Sequence, residues 1–218
     1  MYWHDFEFCG AQLRALPAGA LLWEAQALLC VSDLHLGKSE RIARRSGQLI
    51  PPYDSLETLI RLKDLIDHHD PKTVICLGDS FDDLQAGQEF NPELRQLLIT
   101  LIAGRRWIWI TGNHDPGPLD IQGSWQAEFK QSGLTFRHIA EETALSGEIS
   151  GHFHPMARLK GRRRPCFCYD SRRLILPAFG TYTGGLNASD PIIAALFEQD
   201  ARAIMTGIKS TVIPLRAA

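Results

Sequence analysis

The chain has 218 residues, of which 44% are hydrophobic and 22% are charged, and this composition suits a protein with one well-filled core. Its net charge of -2 at pH 7 excludes a general attraction to nucleic acid, so any such binding must come from a local basic patch. The five cysteines match no zinc knuckle or disulfide scaffold, and no apolar run approaches the roughly 20 residues that span a bilayer. We therefore expect a cytoplasmic protein without membrane contact.

The first half of the chain alternates strand-like and helix-like segments. Turn residues at 17–19 separate two short apolar runs and predict a hairpin. Continuously apolar runs, typical of strands buried on both faces, cover residues 27–31, 74–77 and 107–110. Helical spacing predicts one helix that starts at Asp54 or Ser55, either of which could cap it, and another that starts at Pro92. This order predicts parallel strands with right-handed crossovers.

Each of the three buried strands ends in a polar loop that contains glycine. These loops begin at Ser32, Gly78 and Thr111. Because parallel strands end at the same edge of a sheet, we expect the loops to meet where open α/β sheets bind ligands.

After residue 133 the helical period fades and strand-like runs dominate. They cover residues 134–139, 145–150, 165–169, 173–176, 192–197 and 202–206. We expect these runs to form a second, mostly antiparallel sheet that packs on the first. No internal repeat or low-complexity linker divides the chain, so residues 1–218 are predicted to form a single domain.

The stretch Gly151-His152-Phe153-His154-Pro155 follows the end of a predicted strand. Side chains two residues apart on a strand share a face, so both imidazoles are predicted to leave the same side. Each imidazole can bind a metal ion. Taken alone, this pattern is equally compatible with two surface histidines.

The polar residues at the predicted strand ends are carboxylates, imidazoles and one carboxamide, with no cysteine among them. They are Asp33, His35, Asp79, Asn113, His114, His138, His152 and His154. Such a set suits Mn²⁺, Fe or Zn²⁺ with near-octahedral geometry rather than a closed structural zinc site. Even seven of these eight residues are more ligands than one ion needs, so two ions roughly 3.5–4 Å apart that share a carboxylate fit better.

In order and spacing, these motifs resemble the calcineurin-like metallophosphoesterases. The matching motifs are Asp33-x-His35, Gly78-Asp79-x-x-Asp82, Gly112-Asn113-His114-Asp115, His138 and Gly151-His152-x-His154. The segments 33–38, 151–155, 176–180 and 183–185 look most like a bacterial subgroup, the ligase-associated DNA-damage-response phosphoesterases. That subgroup accompanies an ATP-dependent DNA ligase and a DEAD/DEAH-type helicase, and it resembles the nuclease subunits of the SbcD type.

The resemblance implies a four-layer α/β/β/α sandwich built on two packed mixed sheets. It also implies that Asp33, His35 and His154 bind one divalent ion, that Asn113, His138 and His152 bind a second, and that Asp79 bridges them. Mn²⁺ is the expected metal, with Fe and Zn²⁺ as alternatives. A metal-bridging hydroxide would attack phosphorus, and His114 would act as the general acid.

The sequence indicates less about two residues of these motifs, His138 and Asp82. His138 is the only histidine between residues 115 and 151, so the remaining ligand position falls on it by elimination. Asp82 is as compatible with orienting a ligand histidine as with being a solvated charge.

Basic residues follow the first and the last metal motif. Arg41, Arg44 and Arg45 follow the first, and Arg162, Arg163 and Arg164 follow the last. Both groups could bind phosphates that flank the scissile bond, and a solvated loop explains them equally well. The glycine- and hydroxyl-rich segment 181–185 is either a close approach to the site or an ordinary turn.

The leading hypothesis is a metal-dependent phosphodiesterase, a nuclease that hydrolyses DNA in a repair setting. The alternative is a hydrolase of small phosphodiesters or nucleotides. A non-catalytic scaffold is disfavoured because the full ligand set and His114 are present. Residues 156–218 are too few for a DNA-capping domain, so DNA would need a homodimer, the arginine loops or partner proteins.

Overall fold

The computed structural model describes residues 2–143 and 146–215, in which two mixed β-sheets pack face to face. The first sheet has seven strands within these residues, in the spatial order of their numbering. They are β1 (His4–Phe8), β2 (Ala11–Ala15), β3 (Leu21–Trp23), β4 (Leu28–Val31), β5 (Thr73–Leu77), β6 (Arg106–Ile110) and β7 (Ser124–Gln126). Neighbours from β1 to β4 are antiparallel and those from β4 to β7 are parallel, which confirms the hairpin and the three parallel strands.

The second sheet comes from the later part of the chain. Its strands are β8 (Glu128–Gln131), β9 (Leu134–Arg137), β10 (Glu148–Ser150), β11 (Met156–Leu159), β12 (Arg162–Tyr169), β13 (Arg173–Ile175), β14 (Arg202–Met205) and β15 (Thr211–Pro214). Their order is β15-β14-β12-β13-β10-β9-β8, and β11 pairs with β12 outside that path. Within this sheet β10 pairs parallel with β9 and with β13, and the other described pairs are antiparallel, so the mostly antiparallel prediction is confirmed.

Helices flank the packed sheets. They are α1 (Lys38–Ser46), α2 (Asp54–His69), α3 (Leu84–Gln88), α4 (Pro92–Ile102) and α5 (Pro191–Ala194). Of these, α2 and α4 cover the outer face of the first sheet. Pro92 begins α4 as predicted, and the Asn91 side chain caps it by accepting the N–H groups of Glu93 and Leu94. Within residues 2–143 and 146–215, no helix combines the length and the hydropathy of a membrane-spanning segment.

Alternate residues of the central strands face two different cores, as strand geometry requires. Leu29 and Val31 pack under α2 and α4, whereas Leu28 and Cys30 pack between the two sheets. The same alternation continues through β5 and β6. Burial on both faces holds these three strands in a fixed register, and this fixes the positions of the loops at their carboxyl ends.

Two local predictions were wrong. Residues 192–197 do not form a strand, because Pro191 starts α5 and the Asp190 side chain accepts the Ile192 N–H. Neither Asp54 nor Ser55 caps α2, although the helix begins at Asp54. The Asp54 carboxylate instead accepts from the Ser39 hydroxyl at 2.5 Å. The Ser55 hydroxyl accepts the Gly37 N–H at 2.8 Å, so both side chains hold the start of α1.

Candidate metal centre

The loops that follow β4, β5 and β10 contact one another at one edge of the molecule. The His35 N–H donates to the Asp79 carbonyl at 2.9 Å, and the Gly151 N–H donates to the His138 carbonyl at 2.9 Å. The first bond joins two loops of the first sheet, and the second joins two loops of the second sheet. The His152 N–H donates to Asp33 Oδ2 at 3.0 Å and links the two sheets, so the polar side chains of these loops converge.

Five residues of these loops have left-handed backbone, with φ between 45° and 70°; they are Asp33, His35, Asp79, His152 and His154. Such conformations are costly for residues other than glycine, and they persist where the surrounding structure over-determines them, often at functional sites. They also correct the prediction for His152 and His154. Because β10 ends at Ser150, strand alternation does not apply, and the two imidazoles join different clusters.

Asp33, His35 and His154, which we call site A, place three acceptor atoms together. His35 donates from Nδ1 to Asp82 Oδ1 at 2.7 Å, and His154 donates from Nδ1 to the Gly184 carbonyl at 3.1 Å. Each ring therefore presents the lone pair of its Nε2. These two Nε2 atoms lie 3.4 Å apart, and His154 Nε2 lies 3.2 Å from Asp33 Oδ1.

Asp79, His138 and His152, which we call site B, repeat this arrangement. His138 Nδ1 donates to the Leu77 carbonyl at 2.8 Å. Its Nε2 then faces Asp79 Oδ2 at 3.3 Å and His152 Nδ1 at 3.2 Å. Burial lowers the pKa of His138, but its hydrogen bond to Asp79 and the charges of Asp33 and Asp79 outweigh burial and raise the pKa to about 9.

Both sites suit a cation. In each, the ligand atoms of the three side chains lie within 4.8 Å of one another. Asp33 Oδ1 is buried and has no hydrogen-bond partner among the described residues, although an uncompensated buried carboxylate oxygen is costly. Converging lone pairs repel unless a positive charge lies between them, and imidazole and carboxylate ligands fit Mn²⁺, Fe or Zn²⁺.

Two glycines make this convergence sterically possible. A Cβ on Gly78 would overlap the His138 ring, and one on Gly151 would overlap the Ser32 hydroxyl and Asp33 Oδ2. The Ser32 hydroxyl itself donates to Asp33 Oδ2. Sequence reasoning did not identify Ser32, and a serine before an aspartate carries no specific signal for this contact.

Two further aspartates, Asp115 and Asp82, hydrogen-bond to residues of sites A and B or to the loops that carry them. Asp115 accepts the N–H groups of Asp79, Ser80, Phe81 and Gly112 at 2.8–3.2 Å, so it fixes the loops that carry Asp79 and His114. Burial raises the pKa of Asp115 to about 6. Asp82 is fully buried and lies against His35.

The contacts of Asp82 decide between the two readings of this residue. One oxygen accepts from His35, and the other accepts from Arg41 Nε. Burial raises the pKa of Asp82, but its bonds to His35 and Arg41 outweigh burial and lower it to about 2. Asp82 is therefore a charged residue that orients a histidine, not a solvated surface charge.

His114 lies beside site A. Its N–H donates to Asp79 Oδ1 at 2.9 Å, and its Nδ1 lies 2.6 Å from the Asp82 carbonyl. Its ring meets that of His35 edge-on, with 5.1 Å between centroids. Since Nδ1 donates to a carbonyl, the second nitrogen, Nε2, is left for other partners. His35, Asp82 and His114 also form a third group of potential ligands.

Asn113 is exposed and lines a cleft of about 510 Å³ with His138. The cleft opens beside site B, where a carboxamide could complete a ligand set. Segment 181–185 also approaches the centre closely. The Gly184 carbonyl binds His154, and a Cβ on Gly185 would overlap the His154 carbonyl.

The six arginines proposed for phosphate binding divide into different environments. Arg41 pairs with Asp82, while Arg44 and Arg45 pair with Asp83. Any role of these three in phosphate binding remains a prediction, and it would have to compete with these ion pairs.

Arg162, Arg163 and Arg164 also differ from one another. Arg163 donates to the Gly185 carbonyl at 2.5 Å, beside site A. Arg162 and Arg164 instead line a groove with Met205 and Thr211.

Comparison with known proteins decides the family. A family model described as calcineurin-like phosphoesterase matches residues 27–172. The chain belongs to this family. The calcineurin-like assignment and its two-sheet fold are thus confirmed, and as a metallophosphoesterase the protein is a hydrolase that uses divalent metal ions. Sites A and B contain the residues that could bind them.

One solved structure agrees with this assignment. The phosphoesterase is similar to the Pseudomonas putida nuclease MPE, with a TM-score of 0.78 and 27% identity over 97% of this chain and 100% of that chain. It is also similar to Yfce, a phosphoesterase from E. coli, with a TM-score of 0.40 and 13% identity over 86% of this chain and 98% of that chain. Among the curated protein sequences compared with it, none matches.

Proposed function

We propose that this metallophosphoesterase is a phosphodiesterase that hydrolyses DNA, and that it does so in DNA repair. The observation that carries the proposal is the similarity to a nuclease over 97% of this chain and 100% of that one. The three acceptor atoms that converge in each of sites A and B support it, because two-metal centres are common in enzymes that cleave phosphodiesters.

Asp33, His35 and His154 would bind one ion, and Asn113, His138 and His152 the other, with Asp79 shared between them. Mn²⁺ is the proposed metal, because oxygen and imidazole ligands without thiolates suit it, and Fe or Zn²⁺ would fit the same donors. The hydrogen bonds from His35 to Asp82 and from His138 to the Leu77 carbonyl would hold the ligand nitrogens in the binding tautomer.

Two bound divalent ions would lower the pKa of a shared water and neutralise charge on the phosphoryl oxygens. Residues of the chain would carry out the remaining step, the protonation of the leaving oxygen. The Asp82 carbonyl would hold His114 by Nδ1 so that its Nε2 faces outward. From there Nε2 would donate a proton to the departing oxygen, since an alkoxide is a poor leaving group.

A hydrolase of small phosphodiesters is the second candidate, favoured by the open site and the absence of a capping domain among the described residues. The lack of a capping domain among the described residues argues against DNA as the substrate, and the comparison with the nuclease weakens that argument. The match covers 97% of this chain and 100% of the nuclease MPE chain, so the two chains have a similar extent.

One experiment separates the two candidates. Labelled single-stranded and duplex DNA and bis-p-nitrophenyl phosphate would be incubated with the protein, with Mn²⁺ present and after chelation with EDTA. Mn²⁺-dependent cleavage of DNA supports the proposal. Hydrolysis of the small diester alone would favour the second candidate. The DNA ligase and helicase partners, the homodimer and the cytoplasmic location remain predictions.

A further inference from the structure

The edge of the molecule that carries sites A and B differs in charge between its two sides. On one side, next to site A, lies the β11–β12 hairpin. Strand β11 starts at Met156, two residues after His154, so the hairpin extends directly from the ligand loop. Arg158 lies four residues beyond His154, a span of at most about 14 Å. A polymer bound at the metals carries flanking phosphates that could extend over this distance.

The register of the hairpin sorts its arginines onto two faces. Arg158 pairs directly with Arg163, and Leu159 pairs with Arg162. Residues opposite each other share a face, and successive residues alternate, so Arg158 and Arg163 project together while Arg162 and Arg164 project the other way. The groove that contains Arg162 and Arg164 is the one next to Met205 and Thr211.

The Arg158–Arg163 face is the one turned toward site A. Arg163 donates to the Gly185 carbonyl, and the adjacent Gly184 carbonyl holds His154. Both arginines are exposed, and no acidic side chain among the described residues forms a salt bridge with either of them. Two like charges directly opposite on a hairpin destabilise it, so their unneutralised pairing suggests an external anion.

The opposite side of the edge, at the cleft beside site B, offers no comparable charge. Its basic residue, Arg137, is engaged by Glu128 at 2.8 Å, by Glu141 and by Glu148 at 3.7 Å. Glu128 and Glu141 also line the cleft. Phosphates entering there would meet carboxylates rather than an available cation.

We propose that a DNA strand engaged at the metals continues along the Arg158–Arg163 face of the β11–β12 hairpin, with its phosphates on these two arginines, and not through the cleft beside site B. This inference rests on the proposed function, because it assumes that the phosphodiester at the metals belongs to DNA. In this proposal, Arg162 and Arg164 do not bind the phosphates of the DNA strand.

The test compares Arg158→Ala/Arg163→Ala with the matched variant Arg162→Ala/Arg164→Ala, which removes the same charge from the same hairpin. Binding of a fluorescein-labelled DNA oligonucleotide to the Mn²⁺-loaded protein is measured by anisotropy across a salt series. A His114→Ala background slows hydrolysis during the measurement. Turnover of bis-p-nitrophenyl phosphate is measured separately in each variant with His114 intact.

The first variant is expected to raise the Kd for DNA about tenfold. It should also lower the slope of log K against log salt by roughly 0.7–0.9 for each phosphate that the protein no longer neutralises. The matched variant should change Kd less than about twofold, and turnover of the small diester should stay near wild type in both. Arg163→Lys, which keeps the charge, should retain most of the binding.

Equal reductions of DNA binding in the two double variants, or none in the first, would overturn the inference. The same holds if Arg158→Ala alone, which removes no hydrogen bond to Gly185, leaves the salt slope unchanged. Failure of the proposed function would look different, because the wild-type protein would then bind DNA through these arginines without cleaving it.

Discussion

His35 and His154 approach within 3.4 Å through their Nε2 atoms, and Asp33 Oδ1 lies 3.2 Å from the Nε2 of His154. Each ring already donates its Nδ1 proton, to Asp82 and to the Gly184 carbonyl respectively. When both rings are neutral, the two Nε2 lone pairs repel each other, and either a proton that Asp33 accepts from His154 or a bound metal ion relieves this repulsion. The residues that fix the tautomers thus matter as much for site A as the ligands themselves.

The first prediction concerns one of these residues, Asp82. Asp82→Asn keeps the shape but removes the charge that holds the His35 proton and Arg41. We expect metal affinity at site A to fall by about 10–100-fold, the usual cost of losing such a partner, while site B keeps its metal. Asp83→Asn is the matched control, because Asp83 contacts Arg44 and α3 instead. Metal titration by calorimetry measures both, and equal reductions of affinity in the two variants would refute the orienting role.

The second prediction concerns the shared carboxylate. Asp79 Oδ1 accepts the His114 N–H, and Oδ2 faces His138. Asp79→Asn should abolish activity and weaken both ions, because one carboxylate would serve two cations. Asp67→Asn, on the exposed face of α2, should change neither. Elemental analysis that finds two full equivalents of metal on an active Asp79→Asn protein would contradict the bridging assignment.

The sequence predicted the central strands well because burial on both faces leaves an unbroken apolar run. Each of β4, β5 and β6 is such a run, and each is followed by a polar loop that carries an acidic or amide residue. Helix α1 was not predicted. Of its residues only Ser39 is buried, and the helix is held largely by ion pairs from Arg41 and Arg44 to Asp82 and Asp83, which leave no apolar periodicity.

Other features of the site have no signature in the sequence. The acceptors that fix the tautomers of His138 and His154 are backbone carbonyls, of Leu77 and Gly184, and every residue type has one. The two faces of the arginine hairpin depend on its register, which a run of three arginines does not reveal. Replacing Arg162, Arg163 and Arg164 together would therefore mix two surfaces.

The third prediction concerns pH. The pKa of His138 is raised to about 9 in the metal-free fold, above its unfolded value of about 6.5. The stability that this proton contributes is complete below pH 6.5 and is lost as the pH rises through 9. Burial lowers the pKa of His154, but its hydrogen bond to Asp33 and the charge of Asp33 outweigh burial and raise the pKa, so this proton adds to stability in the same direction.

Urea unfolding in EDTA should therefore show declining stability between pH 6.5 and 9. The Mn²⁺-loaded protein should not show this decline, since its ligand histidines are already deprotonated. His138→Gln in EDTA should show a smaller decline than the wild type. A wild-type stability profile that is flat in EDTA, or a decline of equal size in His138→Gln, would mean that these protons contribute nothing to the free energy of unfolding.

The last prediction concerns His114, which the Asp82 carbonyl holds by Nδ1 and which lies edge-on to His35. If its Nε2 protonates the leaving oxygen, His114→Ala should keep the fold and both metals but lower kcat by roughly 10²–10⁴. The decrease should be largest for DNA, whose alkoxide most needs a proton, and smallest for bis-p-nitrophenyl phosphate, whose leaving group departs as a stable anion.

The measurement is kcat on both substrates, with metal content determined on the same preparation. His68→Ala, at an exposed histidine of α2, serves as the control and should behave like the wild type. Because His114 also belongs to a group of three potential ligands, release of a metal from the variant would make it a ligand instead of an acid. An equal decrease in kcat on both substrates, with metals retained, would leave charge stabilisation rather than proton donation as its contribution.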